Sequence, residues 1–192
     1  MQPRRQHLID TAYRLFNEHG YHATGIDWIL AESGVSKATL YKHFRSKEAL
    51  ILAVLEQRHE QLMALLESAI AEAGERGEQP VLAIFDVLDA WFATEGFFGC
   101  NFIKASGEYA AAGDAIHRFA ARHKADVERL IHDNLPEDPD GSLAAALALL
   151  VDGAIVYAHT RGDRGAARLA RKMAEQILAN SQPRTVARKG RS

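Results

Sequence analysis

The apolar residues of this chain recur at helical spacing almost from end to end. Leu8, Ile9, Ala12, Leu15, Phe16 and His19 fall at i, i+1, i+4, i+7, i+8 and i+11, one stripe of an amphipathic helix. Strand-like alternation is almost absent, so the stripes must bury themselves helix against helix. The fold class is therefore all-α, with about nine helices. Gly20 ends the first helix, and Thr24, followed three residues later by Asp27, predicts the N-cap of the second. Ser33-Gly34 ends that helix, with Gly34 free to take the left-handed backbone of a tight turn. A third, short helix follows Ser36. Ser46-Lys47-Glu48 then opens a long one, whose stripe of Leu50, Ile51, Val54, Leu55, Leu62, Leu65, Leu66 and Ile70 runs to about Ala73. Further helices are predicted at roughly 81–94, 101–112, 114–134, 143–160 and 164–180.

Charge is unevenly distributed. Residues 1–50 carry seven Lys/Arg against five Asp/Glu, residues 51–182 twelve against twenty, and residues 183–192 four against none. A mildly basic head on an acidic body suggests different partners for the ends and the middle. One cysteine, Cys100, excludes an internal disulfide and fits a reducing compartment. No apolar run is read as approaching the ~18 residues of a membrane span, and no signal-peptide pattern follows the first arginines. The expectation is a cytoplasmic protein with no membrane contact. The histidines of the body lack paired metal-ligand spacing, and no nucleophile–base set stands out, so neither a metal, a cofactor nor an enzyme is expected.

Within the first fifty residues, three short helices with a Ser-Gly-Val turn between the last two have the layout of a helix-turn-helix DNA reader. Val35, Leu40 and Phe44 would anchor the third helix. Its free face carries Lys37, Ala38, Thr39, Tyr41, Lys42 and His43. The first three, nearest the helix start, are placed for base edges; Tyr41, Lys42 and His43 are placed for phosphate oxygens. Thr24 and Lys47 open neighbouring helices whose exposed amides favour a phosphate, and Ser36, the cap, completes the candidate DNA-contacting set. The plain alternative makes Tyr41 and His43 supports within the domain and the lysines solvated surface.

The stretch TGIDWILAESGVSKATLYKHFRSKEAL resembles the signature of the TetR family of bacterial transcriptional regulators, over roughly residues 5 to 55. The resemblance implies an N-terminal DNA-binding domain (1–50), a helical effector-binding and dimerisation domain (51–182) and a homodimer on a palindromic operator. It also matches Lys37, Ala38 and Thr39 to base-reading positions, and Thr24, Tyr41, His43 and Lys47 to phosphate-contacting ones. Trp28-Ile29-Leu30 departs from the pattern, where a smaller residue is usual, and is expected only to repack the second and third helices.

In the body, AWFATEGFFGCNFIKASGEY (Ala90–Tyr109) concentrates aromatic rings around Gly96 and Gly99, where helices meet and pockets form. The segment is also similar to one found in a branch of the family's C-terminal domains. The candidate effector site comprises Trp91, Phe98, Asn101, Phe102, Glu108, Tyr109, His117 and Tyr157, for a small, largely apolar ligand; the competing reading is that these rings are simply core. The last two helices are apolar on more than one face. The resemblance assigns them to a four-helix dimer interface, represented by Leu147, Leu150, Val151, Ala154, Leu169, Met173 and Ile177, against an intramolecular core as the alternative. Residues 183–192 are expected to be a basic, disordered tail that, with Arg4 and Arg5, could add non-specific DNA contacts. The functional expectation is a ligand-responsive regulator, most simply a repressor released by its effector. An activator bears the same signature, and a helical enzyme or ligand carrier is the rival from another class.

Overall fold

The computed structural model describes residues 3–135 and 137–181; the basic tail lies outside them. The described residues form nine α-helices and no strand: α1 (Pro3–His19), α2 (Ile26–Ser33), α3 (Lys37–His43), α4 (Lys47–Glu75), α5 (Ala83–Phe92), α6 (Asn101–Glu108), α7 (Ala115–Asp133), α8 (Ser142–Arg161) and α9 (Ala166–Ser181), with a single 3₁₀ turn, Pro80–Leu82, leading into α5. The all-α expectation holds.

Local chemistry explains the helix ends around the turn. Gly34 closes α2 in the left-handed region (φ 64°), its N–H bonded to the Leu30 carbonyl, a conformation a Cβ penalises. Ser36 then caps α3, its hydroxyl accepting from the Thr39 N–H at 3.3 Å. Ser46 caps α4 in the same way, accepting from the Ala49 N–H at 3.1 Å. The second helix departs from expectation. Its N-cap is Gly25, without a side-chain bond, because the Thr24 hydroxyl turns inward and donates to the Gly20 carbonyl at 2.8 Å.

α1, α2 and α3 enclose Leu8, Leu15, Phe16, Ile29 and Leu40 and pack through α1 onto the first turns of α4. α4 continues against α5 and α7; α6 lies on α7, and α8 is flanked by α7, α9 and α5. One buried cluster runs from α1 to α9 without a break. Two stripe residues fall outside it: Leu65 is about half exposed, and His19 sits on the surface against Trp28, ring centroids 4.7 Å apart. α8 is long and apolar enough to cross a membrane, contrary to the first reading of the chain. Here it packs among α5, α7 and α9 instead.

Candidate nucleic-acid interface and effector cavity

The short α3 is pinned from beneath by Leu40, fully buried, and by Phe44 just after it, with Val35 wedged half-buried beside them. Its outer side carries Lys37, Ala38, Tyr41 and Lys42, all exposed, with Thr39 and His43 half-buried at its margin. The Lys37 ammonium lies 3.5 Å from Asp27, and both side chains are largely in water, where such a pair is worth little and yields readily. Pro3 and Arg4 close a cleft against Thr39, Lys42 and His43, bringing a further cation to this face from the start of α1. Arg5 instead stacks over the Phe44 ring, 5.3 Å from its centroid.

Lys47, the first residue of α4, is half-buried. Its Nζ donates to the His22 carbonyl at 3.4 Å, and burial lowers its pKa below that of a free lysine. Ser36 is exposed but occupied by its cap. Thr24 does not belong to this face: it has no exposed surface. Its hydroxyl, spent on the carbonyls of Leu15 and Gly20, has nothing left to offer a phosphate.

Between α4, α5, α6, α7 and α8 lies a partly open cavity. Of the eight candidate effector residues it gathers three, Trp91, Asn101 and Phe102. Glu108, Tyr109 and His117 sit elsewhere. The Glu108 carboxylate accepts from the backbone N–H groups of Tyr21 (2.9 Å) and His22 (2.5 Å). Tyr109 packs on His22, ring centroids 4.8 Å apart, and His117 Nδ1 lies 3.0 Å from the Tyr109 carbonyl. Phe98 is half-buried outside the lining. Tyr157 is on the outer face of α8, its hydroxyl accepting from Arg161 at 3.0 Å.

The cavity also contains polar groups that the sequence reading missed: Arg58, His123 and Lys124. Two had a legible signal. Leu55, Arg58, Leu62 and Leu66 recur at spacings of three and four, so Arg58 interrupts an apolar stripe; His123 does the same between Ala120 and Val127. His123 is almost wholly buried, stacked on Phe102 at 3.5 Å between centroids, with Nδ1 2.9 Å from Nδ1 of His59. Burial, reinforced by the nearby Lys124, His59 and Arg58, drives its pKa down to about 3. The imidazole is neutral.

α6 touches both sites. Its first turn lines the cavity through Asn101 and Phe102. Along its length Asn101 bonds Asn17 at 3.2 Å and Lys104 donates to the Asn17 carbonyl at 2.7 Å, while Glu108 holds the turn after α1. Gly20 in that turn has φ 88°, and a Cβ there would stand 3.0 Å from the Glu108 carboxylate.

The outer sides of α8 and α9 form an apolar groove lined by Leu150, Ala154, Leu169 and Met173, with Gly153 and Tyr157. Leu169 and Met173 are about half exposed. Leu147 and Val151 do not share this face. Leu147 is in the core, and Val151 points to the cavity, because four-residue steps along α8 carry them to its inner side. Ile177 is half-buried against the core.

Residues 8–54 match the family model for bacterial regulatory proteins of the tetR family. A TetR-family transcriptional regulator of known structure from Streptomyces coelicolor, SCO4454, superposes with a TM-score of 0.80 and 30% identity, over 92% of this chain and 95% of that one. An HTH-type transcriptional regulator from Bacillus subtilis, YxaF, is 26% identical over 83% of this chain and 87% of its own length. The transcriptional activator FasR of Mycolicibacterium smegmatis is 38% identical over 89 residues, which span only 41% of that protein. These relatives are regulators of transcription, not enzymes. With one of them similar along nearly its entire length and the DNA-reading helices matched in sequence, the chain belongs to the TetR family of bacterial transcriptional regulators.

Proposed function

We propose that the protein is a ligand-responsive repressor, acting in the cytoplasm as a homodimer on a palindromic operator. Residues 1–50 serve as the DNA-binding unit and residues 51–182 as the effector-binding and dimerisation unit. Lys37, Ala38 and Thr39 face base edges, while Tyr41, Lys42, His43 and Lys47, joined by Arg4, hold phosphates. A small, largely apolar effector enters the cavity between α4 and α8 and releases the operator.

The observation that carries this reading is the double attachment of α6, to the cavity at one end and to the turn after α1 at the other. The cavity's open volume is about 30 Å³, enough for a water or two. A larger ligand must part the helices, and a helix displaced at Asn101 carries Glu108 and the α1–α2 turn with it. Repression is relieved only as far as the ligand prefers the parted form.

The test is anisotropy of a labelled duplex spanning the gene's own promoter, titrated with protein at several salt concentrations. The combined substitution of Tyr41→Phe, Lys42→Ala and His43→Ala is expected to weaken binding at least tenfold and to flatten its salt dependence by about one phosphate contact, that of Lys42. Unchanged affinity with an unchanged salt slope would overturn the assignment. Transcription from that promoter with and without the protein separates repression from the activation for which FasR is named.

A further inference from the structure

The polar groups of the cavity are unbalanced in sign. Arg58, Lys124, Asn101 and His123 contribute to its wall, and among the described residues no aspartate or glutamate does. Lys124 is already matched, since its ammonium is paired with Asp152. Asp126 lies 4.0 Å from His59 Nε2 and lines a separate surface cleft with Glu67 and Asp133. His123 is neutral.

Arg58 has no such match. Among the described residues neither a carboxylate nor a hydrogen-bond acceptor meets its guanidinium. The group is half-buried between two rings, 5.9 Å from the centroid of Tyr13 and 6.0 Å from that of Trp91. Aromatic faces attract a guanidinium but leave its five donors unused. A planar donor fork in the wall of a largely apolar cavity is what a carboxylate pairs with in bidentate geometry.

We infer that the effector is an amphipathic organic anion, an apolar body ending in a carboxylate that Arg58 receives, with its body along Phe102 and Trp91. This rests on the proposal that the cavity is the effector site and adds the ligand's charge and orientation. It also gives the headgroup a second route to the DNA-binding end. Tyr13 belongs to α1, so an anion that takes up the guanidinium competes with the Arg58–Tyr13 contact.

The test uses three probes of equal chain length on the full protein: octanoate, octan-1-ol and octylammonium. Binding is read from Trp91 fluorescence in a Trp28→Phe background and checked by calorimetry at neutral pH. Octanoate is expected to bind at least about tenfold more tightly than octanol, as a charge-assisted bidentate pair requires, with octylammonium weakest. Arg58→Gln should bring octanoate to the octanol value while leaving octanol unchanged, which shows the cavity intact; Arg58→Lys should keep part of the preference. Equal binding of octanoate and octanol, tighter binding of octylammonium, or an unaltered octanoate affinity in Arg58→Gln would overturn the anion assignment and leave the cavity standing. No binding of any probe to the parent protein would overturn the effector cavity, and this inference with it.

Discussion

His123 is held against Phe102 on one side and His59 on the other, in a site with almost no access to water. Its pKa of about 3 stands below the unfolded value of ~6.5. As pH falls through ~6.5 the unfolded chain takes up a proton at this residue, while the folded protein does not until about pH 3. The unfolded state then binds more protons, so stability is complete above ~6.5 and declines as pH falls towards 3. Between pH 7 and pH 5 this single residue is expected to account for a loss of about 2 kcal/mol. Urea denaturation of the parent and of His123→Phe at both pH values measures it; the variant should lose correspondingly less. Equal losses would show that the site does not exclude the proton. Thr24 teaches the opposite lesson about reading side chains. A threonine three residues before an acid is a cap by pattern, yet its hydroxyl bonds the Leu15 carbonyl of α1 and the Gly20 carbonyl just after it, partners the pattern does not contain.

Among the helices, α6 joins otherwise separate parts. It is eight residues long, too short to be stable by itself, and stays formed because Phe102 and Ala105 are buried beneath it. It then presents Asn101 and Lys104 to Asn17 near the end of α1, and Glu108 to the turn that follows. Two backbone N–H groups accepted by one carboxylate are the strongest of these attachments, since a charged acceptor contributes more than a neutral one. Glu108→Ala should therefore cost about 2 kcal/mol in urea denaturation. It should also weaken the response of operator binding to effector more than it weakens operator binding itself. A variant as stable and as responsive as the parent would refute the coupling role of α6. The sequence reading took Glu108 for a pocket residue because it lies in the aromatic segment. Its register on α6 faces the DNA-binding end instead.

In the protein as a whole, the groove of α8 and α9 leaves apolar surface exposed among the described residues. Leu149, Leu169 and Met173 are between 45% and 75% exposed, a poor arrangement for a surface left in water. A second copy related by a two-fold axis would cover it and set two α3 helices against half-sites one DNA turn apart, ~34–36 Å. Leu169→Glu combined with Met173→Glu is expected to yield a folded monomer by analytical ultracentrifugation at micromolar concentration. Operator affinity should fall by about 100-fold or more as the linkage between half-sites is lost. A dimer that survives both charges would place the interface elsewhere.

Helix identity, the turn at Gly34 and the polar face of α3 were legible in the chain because each depends on neighbours within one or two turns: a 3.6-residue stripe, a glycine free of Cβ strain, a serine reaching its own helix's amides. Which apolar residues line a cavity, which face a partner and which merely fill the core was not legible in that way. Leu147, Val151 and Leu169 are alike in composition and helical setting, yet one is core, one cavity and one surface. Helical period records that a residue lies on a stripe, but α8 is apolar on several sides, and packing against α5, α7 and α9 assigns each side its role. The polar lining of the cavity belongs to the same class of fact. Arg58, Asn101, His123 and Lys124 meet at one cavity only because five helices, most of them distant in sequence, close around it.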